Sequence, residues 1–136
     1  MDVVALIGRI IFSGLFVAAG FAHLTQSKSM AGYAASRGVP QPRLAVLASG
    51  VLVLVGGLMV LLGIWLDLGA VLLVVFLVPT ALLMHPFWKE TDPMAKQNEM
   101  SSFQKDLALA GAALAILALY SGYAENLGIT ITGPLF

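Results

Sequence analysis

The chain has no cysteine. Disulfide exchange, Cys-x-x-Cys redox chemistry, thiolate metal sites and iron–sulfur ligation are excluded together. Charge is scarce as well: 10% of the residues are charged, seven basic against seven acidic, and the net charge is zero. No basic stripe exists to meet phosphates, so nucleic acid is not a partner. No nucleophile–base–acid constellation, G-x-S-x-G elbow, phosphate loop or EF-hand spacing occurs. Paired carboxylates are absent from the apolar stretches, which counts against a proton-coupled transporter. Any redox role therefore falls to a bound cofactor or to a partner subunit.

What the chain has in excess is apolar side chain, 60% of its 136 residues. A soluble protein of this size cannot enclose so much, so the bilayer is the solvent for most of its surface and residues 1–136 read as one integral membrane domain. Four apolar stretches run roughly over 3–24, 44–66, 68–85 and 107–124. Each has about 18 to 23 residues, enough to cross a ~30 Å hydrocarbon core at 1.5 Å per residue. The first stretch is expected to be a retained helix, because Met1-Asp2-Val3-Val4 offers no positive n-region and no clear A-x-A site follows. The expected fold is all-α, a membrane four-helix bundle.

Six of the seven Lys/Arg residues fall in two connections. Lys28, Arg37 and Arg43 lie in the first, and Lys89, Lys96 and Lys105 in the third. The positive-inside rule then puts loops 25–43 and 86–106 in the cytoplasm and both termini outside. The first of these loops is not plain coil. Met30, Tyr33 and Ala34 recur at helical spacing after Ser27 and Ser29, with Gly38, Pro40 and Pro42 behind them. That pattern predicts a short interfacial helix between spans 1 and 2, with Ser caps and a Gly stop.

Small residues recur at helix-packing spacing: Gly14, Ala18 and Ala22 four apart in the first span, Gly50 and Gly57, and Gly56 and Gly63, seven apart in the second, and Ala108 and Ala112, and Gly111 and Ala115, four apart in the fourth. In lipid such faces permit close backbone approach, so they are expected to be bundle seams. Pro79 removes a hydrogen bond inside the third span and predicts a kink, with Thr80 re-satisfying part of the freed backbone.

The two histidines, His23 and His85, close the first and third spans at similar depth. Three readings stay open. They can be interfacial histidines satisfied by backbone and water, parts of a polar small-molecule site, or ligands of a metal or haem. Two ligands without a third make a weak zinc signal, so no metal site is predicted, and a haem so near the interface would be partly wet. Tyr33, Arg37, Trp88, Lys105 and Asp106 fall on the same side. They constitute either an aromatic belt with snorkelling cations or, with the histidines, a boundary site for an amphipathic ligand such as a quinone. The candidate ligand-binding residues are His23, Tyr33, Arg37, His85, Trp88 and Lys105. On the opposite side Arg9, the one charge inside a span, is expected to pair with Asp67 or Glu125.

Several of these segments resemble the DoxX family of small membrane proteins. They are Gly8-Arg9-Ile10-Ile11-Phe12-Ser13-Gly14-Leu15-Phe16, Ala19-Gly20-Phe21-Ala22-His23-Leu24, Tyr33-Ala34-Ala35-Ser36-Arg37-Gly38-Val39-Pro40, Gly56-Gly57-Leu58-Met59, His85-Pro86-Phe87-Trp88 and Phe103-Gln104-Lys105-Asp106-Leu107. The resemblance implies a four-helix bundle in a prokaryotic plasma membrane, and an accessory or quinone-proximal subunit of a membrane redox complex rather than a catalyst by itself. It also implies that Arg9, His23, His85, Trp88 and Lys105 form a shared polar signature. Many relatives carry a glutamate where this chain has Val53 and an arginine where it has Asp67. The other function class compatible with the residues is a non-redox scaffold holding lipid, further copies of the chain or other membrane subunits through its small-residue faces.

Overall fold

The computed structural model describes residues 2–123 and 129–136, and among these there is no strand. The order is α1 (Asp2–Thr25), α2 (Ser27–Ser36), α3 (Pro42–Leu62), α4 (Leu66–Met84), a 3-10 turn (Phe87–Lys89) and α5 (Pro93–Tyr123). α1, α3, α4 and α5 are each long and apolar enough to cross a membrane. Even the most enclosed, α4, has only 39% of its apolar stretch buried within the protein. Ile11, Phe21, Leu82 and Leu114 stand outward, which fits a surrounding solvent of hydrocarbon. The chain is a four-helix membrane bundle.

Local chemistry sets the helix ends. α2 stops in a Schellman arrangement: Gly38 adopts φ +79°, its amide bonds to Ala35 O and that of Val39 to Ala34 O. The expected Ser caps at its start are not used. Gln26 occupies the N-cap without a side-chain bond, because α2 follows α1 almost directly. α3 begins at Pro42, whose missing N–H costs nothing in a first turn. It ends at Gly63, φ +70°, earlier than the apolar run suggests. α5 begins at Pro93 rather than near 107, since the Asp92 carboxylate caps the Ala95 amide at 2.8 Å.

The closely packed pairs run α1–α3–α4–α5 in series, with α2 lying on α3. One core joins Phe16, Val53, Val60, Leu73, Leu77, Ala113 and Tyr120, and Val53 at its centre is fully enclosed. The glycines of α3 form the seams. A Cβ on Gly57 would meet Phe16 of α1 at 3.0 Å, and Gly56 and Gly69 each face the other's carbonyl at 3.2 Å. The expected seams on α1 and α5 are misplaced. A methyl group added at Gly14 or Gly111 would meet nothing within 4 Å, and Ala18, Ala108, Ala112 and Ala115 are exposed. α1 turns Ser13, Phe16 and Gly20 inward instead, and α5 turns Ala110 and Ala113.

α4 runs through Pro79. The carbonyl deprived of its amide partner is that of Val75, four residues earlier. Thr80 does not replace that bond, as its hydroxyl donates to Phe76 O at 2.7 Å.

Candidate functional site

At the end of the bundle carrying the 26–41 and 85–92 connections lies a cavity of about 650 Å³. Its walls come from α2 (Met30, Ala34), α3 (Ala45, Val46, Leu52) and α4 (Val75, Phe76, Leu83), and its polar groups are His23, Ser29, Tyr33, Ser49, Thr80 and His85. An apolar hollow with a few converging polar atoms is the usual form of a small-molecule site.

His23 is seated by a glycine. A Cβ on Gly50 would come within 2.7 Å of His23 Cβ, so only glycine lets α1 bring the imidazole against α3. There Nδ1 lies 2.9 Å from Ser49 Oγ, and the Ser49 hydroxyl donates to Val46 O at 3.0 Å. The Phe76 ring of α4 meets the imidazole edge-on, with centroids 5.8 Å apart. His85 follows α4, with Nδ1 2.8 Å from Glu99 Oε2 and Nε2 3.7 Å from Asp106 Oδ2, too long for a hydrogen bond. The two histidines therefore share one cavity without touching each other.

Beside the cavity α2 is latched to α5. Arg37 Nη1 donates to Glu90 Oε1 at 2.8 Å and Nη2 to Glu99 Oε1 at 2.6 Å. Nη2 and Nε also donate to Tyr33 Oη, at 3.1 and 3.3 Å, and the Tyr33 hydroxyl donates to Glu99 Oε1 at 3.2 Å. The hydrogen bonds to Glu90 and Tyr33 hold the Arg37 proton more tightly than usual, so it stays charged. Glu99 stands in the first turns of α5, before the apolar stretch. Burial pushes its carboxyl up, but the His85 hydrogen bond and the Arg37 charge outweigh this and leave it below the ordinary carboxylate range.

Arg37→Ala would strand two carboxylates with little access to water, at about 2 kcal/mol by the usual cost of losing hydrogen bonds to charged groups. Thermal unfolding in detergent should show that loss. A double-mutant cycle with Glu99→Ala should recover part of it, and strict additivity would mean the latch is not energetic.

Of the six residues expected to bind a ligand, His23, Tyr33 and His85 line the cavity. Arg37 acts one step behind, through Tyr33. Trp88 and Lys105 do not line it. The turn after Pro86 sends the Trp88 ring onto Phe87 and Phe103, 5.2 and 5.8 Å between centroids. α5 points Asp106 inward, and the next residue round the helix, Lys105, is 60% exposed. The expected pairing of Arg9 with Asp67 is not formed. Arg9 Nη2 donates to Ile129 O at 2.7 Å, and Asp67 Oδ2 accepts the Leu135 and Phe136 amides at 2.6 and 2.9 Å. The returning 129–136 segment takes the place of the ion pair, while Glu125 lies outside the described residues. Glu90, Glu99 and Ser49 escaped the sequence reading. Asp92-Pro93 is the signal that finds two of their contacts: a helix from that point puts Glu99 and Asp106, seven apart, on one face beside His85. Among the described residues no group of three or more His, Cys, Asp or Glu could hold a metal.

The DoxX family model matches residues 4–86, more than half of the chain. The chain is a member of the DoxX family. It is 31% identical over 112 residues to the inner membrane protein YphA of Escherichia coli (strain K12), covering 82% of this chain and 79% of that protein. No solved structure matches it. The DoxX match ends at Pro86, so it takes in every residue that lines the cavity. Glu99 of α5, which braces His85 and Arg37, lies beyond it.

Proposed function

We propose that this DoxX protein binds an amphipathic ligand of the quinone class in the His23–His85 cavity, as an accessory subunit of a membrane redox assembly. The observation that carries the reading is the cavity itself: a largely apolar hollow of about 650 Å³ with both histidines, Tyr33 and Thr80 at its lining. An aromatic ring with two oxygen substituents matches that distribution, with its oxygens at the polar groups and its tail along the apolar walls. The inner membrane description of YphA and the clustered cations support a plasma-membrane protein whose cavity end and loops 25–43 and 86–106 face the cytoplasm.

The test is calorimetric titration of the protein in lipid nanodiscs with decylubiquinone and decylubiquinol. Saturable binding is expected, weakened about tenfold or more by His23→Ala with His85→Ala, which is roughly 1.4 kcal/mol. Absence of saturable binding of both forms would sink the reading. A second reading, a scaffold for lipid or partner helices, rests on the outward face of Ala108, Gly111, Ala112 and Ala115, which no described helix of the bundle covers. Partner association and redox activity both unchanged by the double histidine variant would favour it.

A further inference from the structure

Hydrogen-bond bookkeeping around the cavity assigns the polarity of what it holds. The Ser49 hydroxyl proton goes to Val46 O. Ser49 Oγ can therefore only accept from His23, and Nδ1 of that imidazole carries the hydrogen. Its Nε2 is then a bare lone pair, with no hydrogen-bond partner among the described residues. Three of the lining donors are engaged elsewhere: the Thr80 hydroxyl by Phe76 O, the Tyr33 hydroxyl by Glu99, and His85 Nδ1–H by Glu99 Oε2, which leaves Ser29 as the other lining hydroxyl. Pro79 leaves a further carbonyl without its usual helical partner. It lacks the N–H that would bond Val75 O, and both residues line the cavity.

We infer that the cavity selects a hydrogen-bond donor, the O–H of a hydroquinone or long-chain phenol, with His23 Nε2 as its acceptor. The inference rests on the amphipathic-ligand reading above and sharpens it to the reduced, hydroxyl-bearing form. A carbonyl-only ligand would leave His23 Nε2 and Val75 O unmatched and bring two more acceptors against them, an unfavourable arrangement in a low-dielectric site. Ser49 is a positioning residue in this scheme: it dictates which nitrogen of His23 is bare.

The experiment compares 4-dodecylphenol with its methyl ether, 4-dodecylanisole, which keeps the tail and ring but has no O–H. Binding to the protein in nanodiscs is measured by titration, with ¹⁵N-histidine NMR recorded alongside. The phenol should bind at least tenfold tighter than the ether. Free His23 should show the Nδ1–H tautomer, and the phenol should shift its Nε2 resonance. Ser49→Ala should erode the preference by releasing the tautomer, even though the ligand's hydroxyl is held by His23 and not by Ser49, and His23→Phe should abolish it. Equal binding of phenol and ether, or a wild-type Nε2–H tautomer, overturns the donor selectivity and leaves the cavity reading standing. Binding of neither compound overturns both.

Discussion

Gly20→Val should be among the most damaging single changes in this protein. A Cβ at Gly20 would stand 2.6 Å from Leu54 Cβ, 2.9 Å from Leu54 Cα and 3.0 Å from Leu54 N. Two of those atoms are backbone, which cannot rotate away, so α1 and α3 must separate. The same seam carries Gly57 against Phe16 and Gly50 beneath His23. Wedging it open loses dispersion contacts along both helices, and no hydrophobic force in lipid drives them back together. Overpacking of this kind costs about 1–3 kcal/mol, and the backbone clash puts Gly20→Val at the upper end. Denaturant unfolding in mixed micelles should show that loss. The informative controls are Gly14→Ala and Gly111→Ala, which add a methyl group where nothing lies within 4 Å and should change stability by less than about 0.5 kcal/mol. Losses of equal size at Gly14 and Gly20 would contradict the assignment of the seam. Because Gly50 seats His23, widening the α1–α3 gap should also part His23 from Ser49 and weaken ligand binding.

Asp67→Ala should free the end of the chain from the opposite side of the bundle. Asp67 is fully buried, and its Oδ2 accepts two backbone amides, those of Leu135 and Phe136. A buried hydrogen bond of this kind contributes about 1–1.5 kcal/mol, and two act together here. Amide exchange at Leu135 and Phe136 should therefore accelerate about a hundredfold, equivalent to roughly 2.7 kcal/mol. Residues nearer the bundle should respond less. Gly63 O still accepts the Ile131 and Thr132 amides, Thr132 Oγ1 still accepts the Trp65 amide, and Tyr120 still donates to Thr132 O. Unchanged exchange at Leu135 in the variant would show that the carboxylate does not anchor the segment.

The legible parts of the fold were those written in local composition. Tyr33 to Gly38 marks a helix end by side-chain chemistry alone, and the interfacial helix α2 follows from it, whereas the end of α3 at Gly63 was masked by the apolar run that continues to Leu66. The span at 107–124 was visible, but its long entry from Pro93 was hidden because Lys96, Gln97, Asn98 and Glu99 break the apolar run. A hydropathy pattern registers lipid contact, not helicity, so the polar turns of α5 that carry Glu99 fell into a loop. The site was half legible. His23 and His85 stood out as rare residues at matching depth. Ser49, Glu90 and Glu99 did not, since single polar residues gain meaning only from what faces them.

The sequence by itself determined that this is a membrane protein, how many times it can cross, and which connections carry the cations. Those properties follow from transfer free energies and charge counts, which add up along the chain without reference to any partner. Only the tertiary structure decided which face of each span turns inward. Lipid is as apolar as the core, so α4 and α5 carry almost no periodicity to say which side is buried. The phase comes instead from where backbones can approach, at Gly20, Gly50, Gly57 and Gly69, while look-alike stripes at Gly14 and Gly111 face the hydrocarbon. That same phase brings His23 to Ser49 and Phe76, and so creates the cavity. The returning 129–136 segment likewise gave Arg9 and Asp67 backbone partners in place of each other.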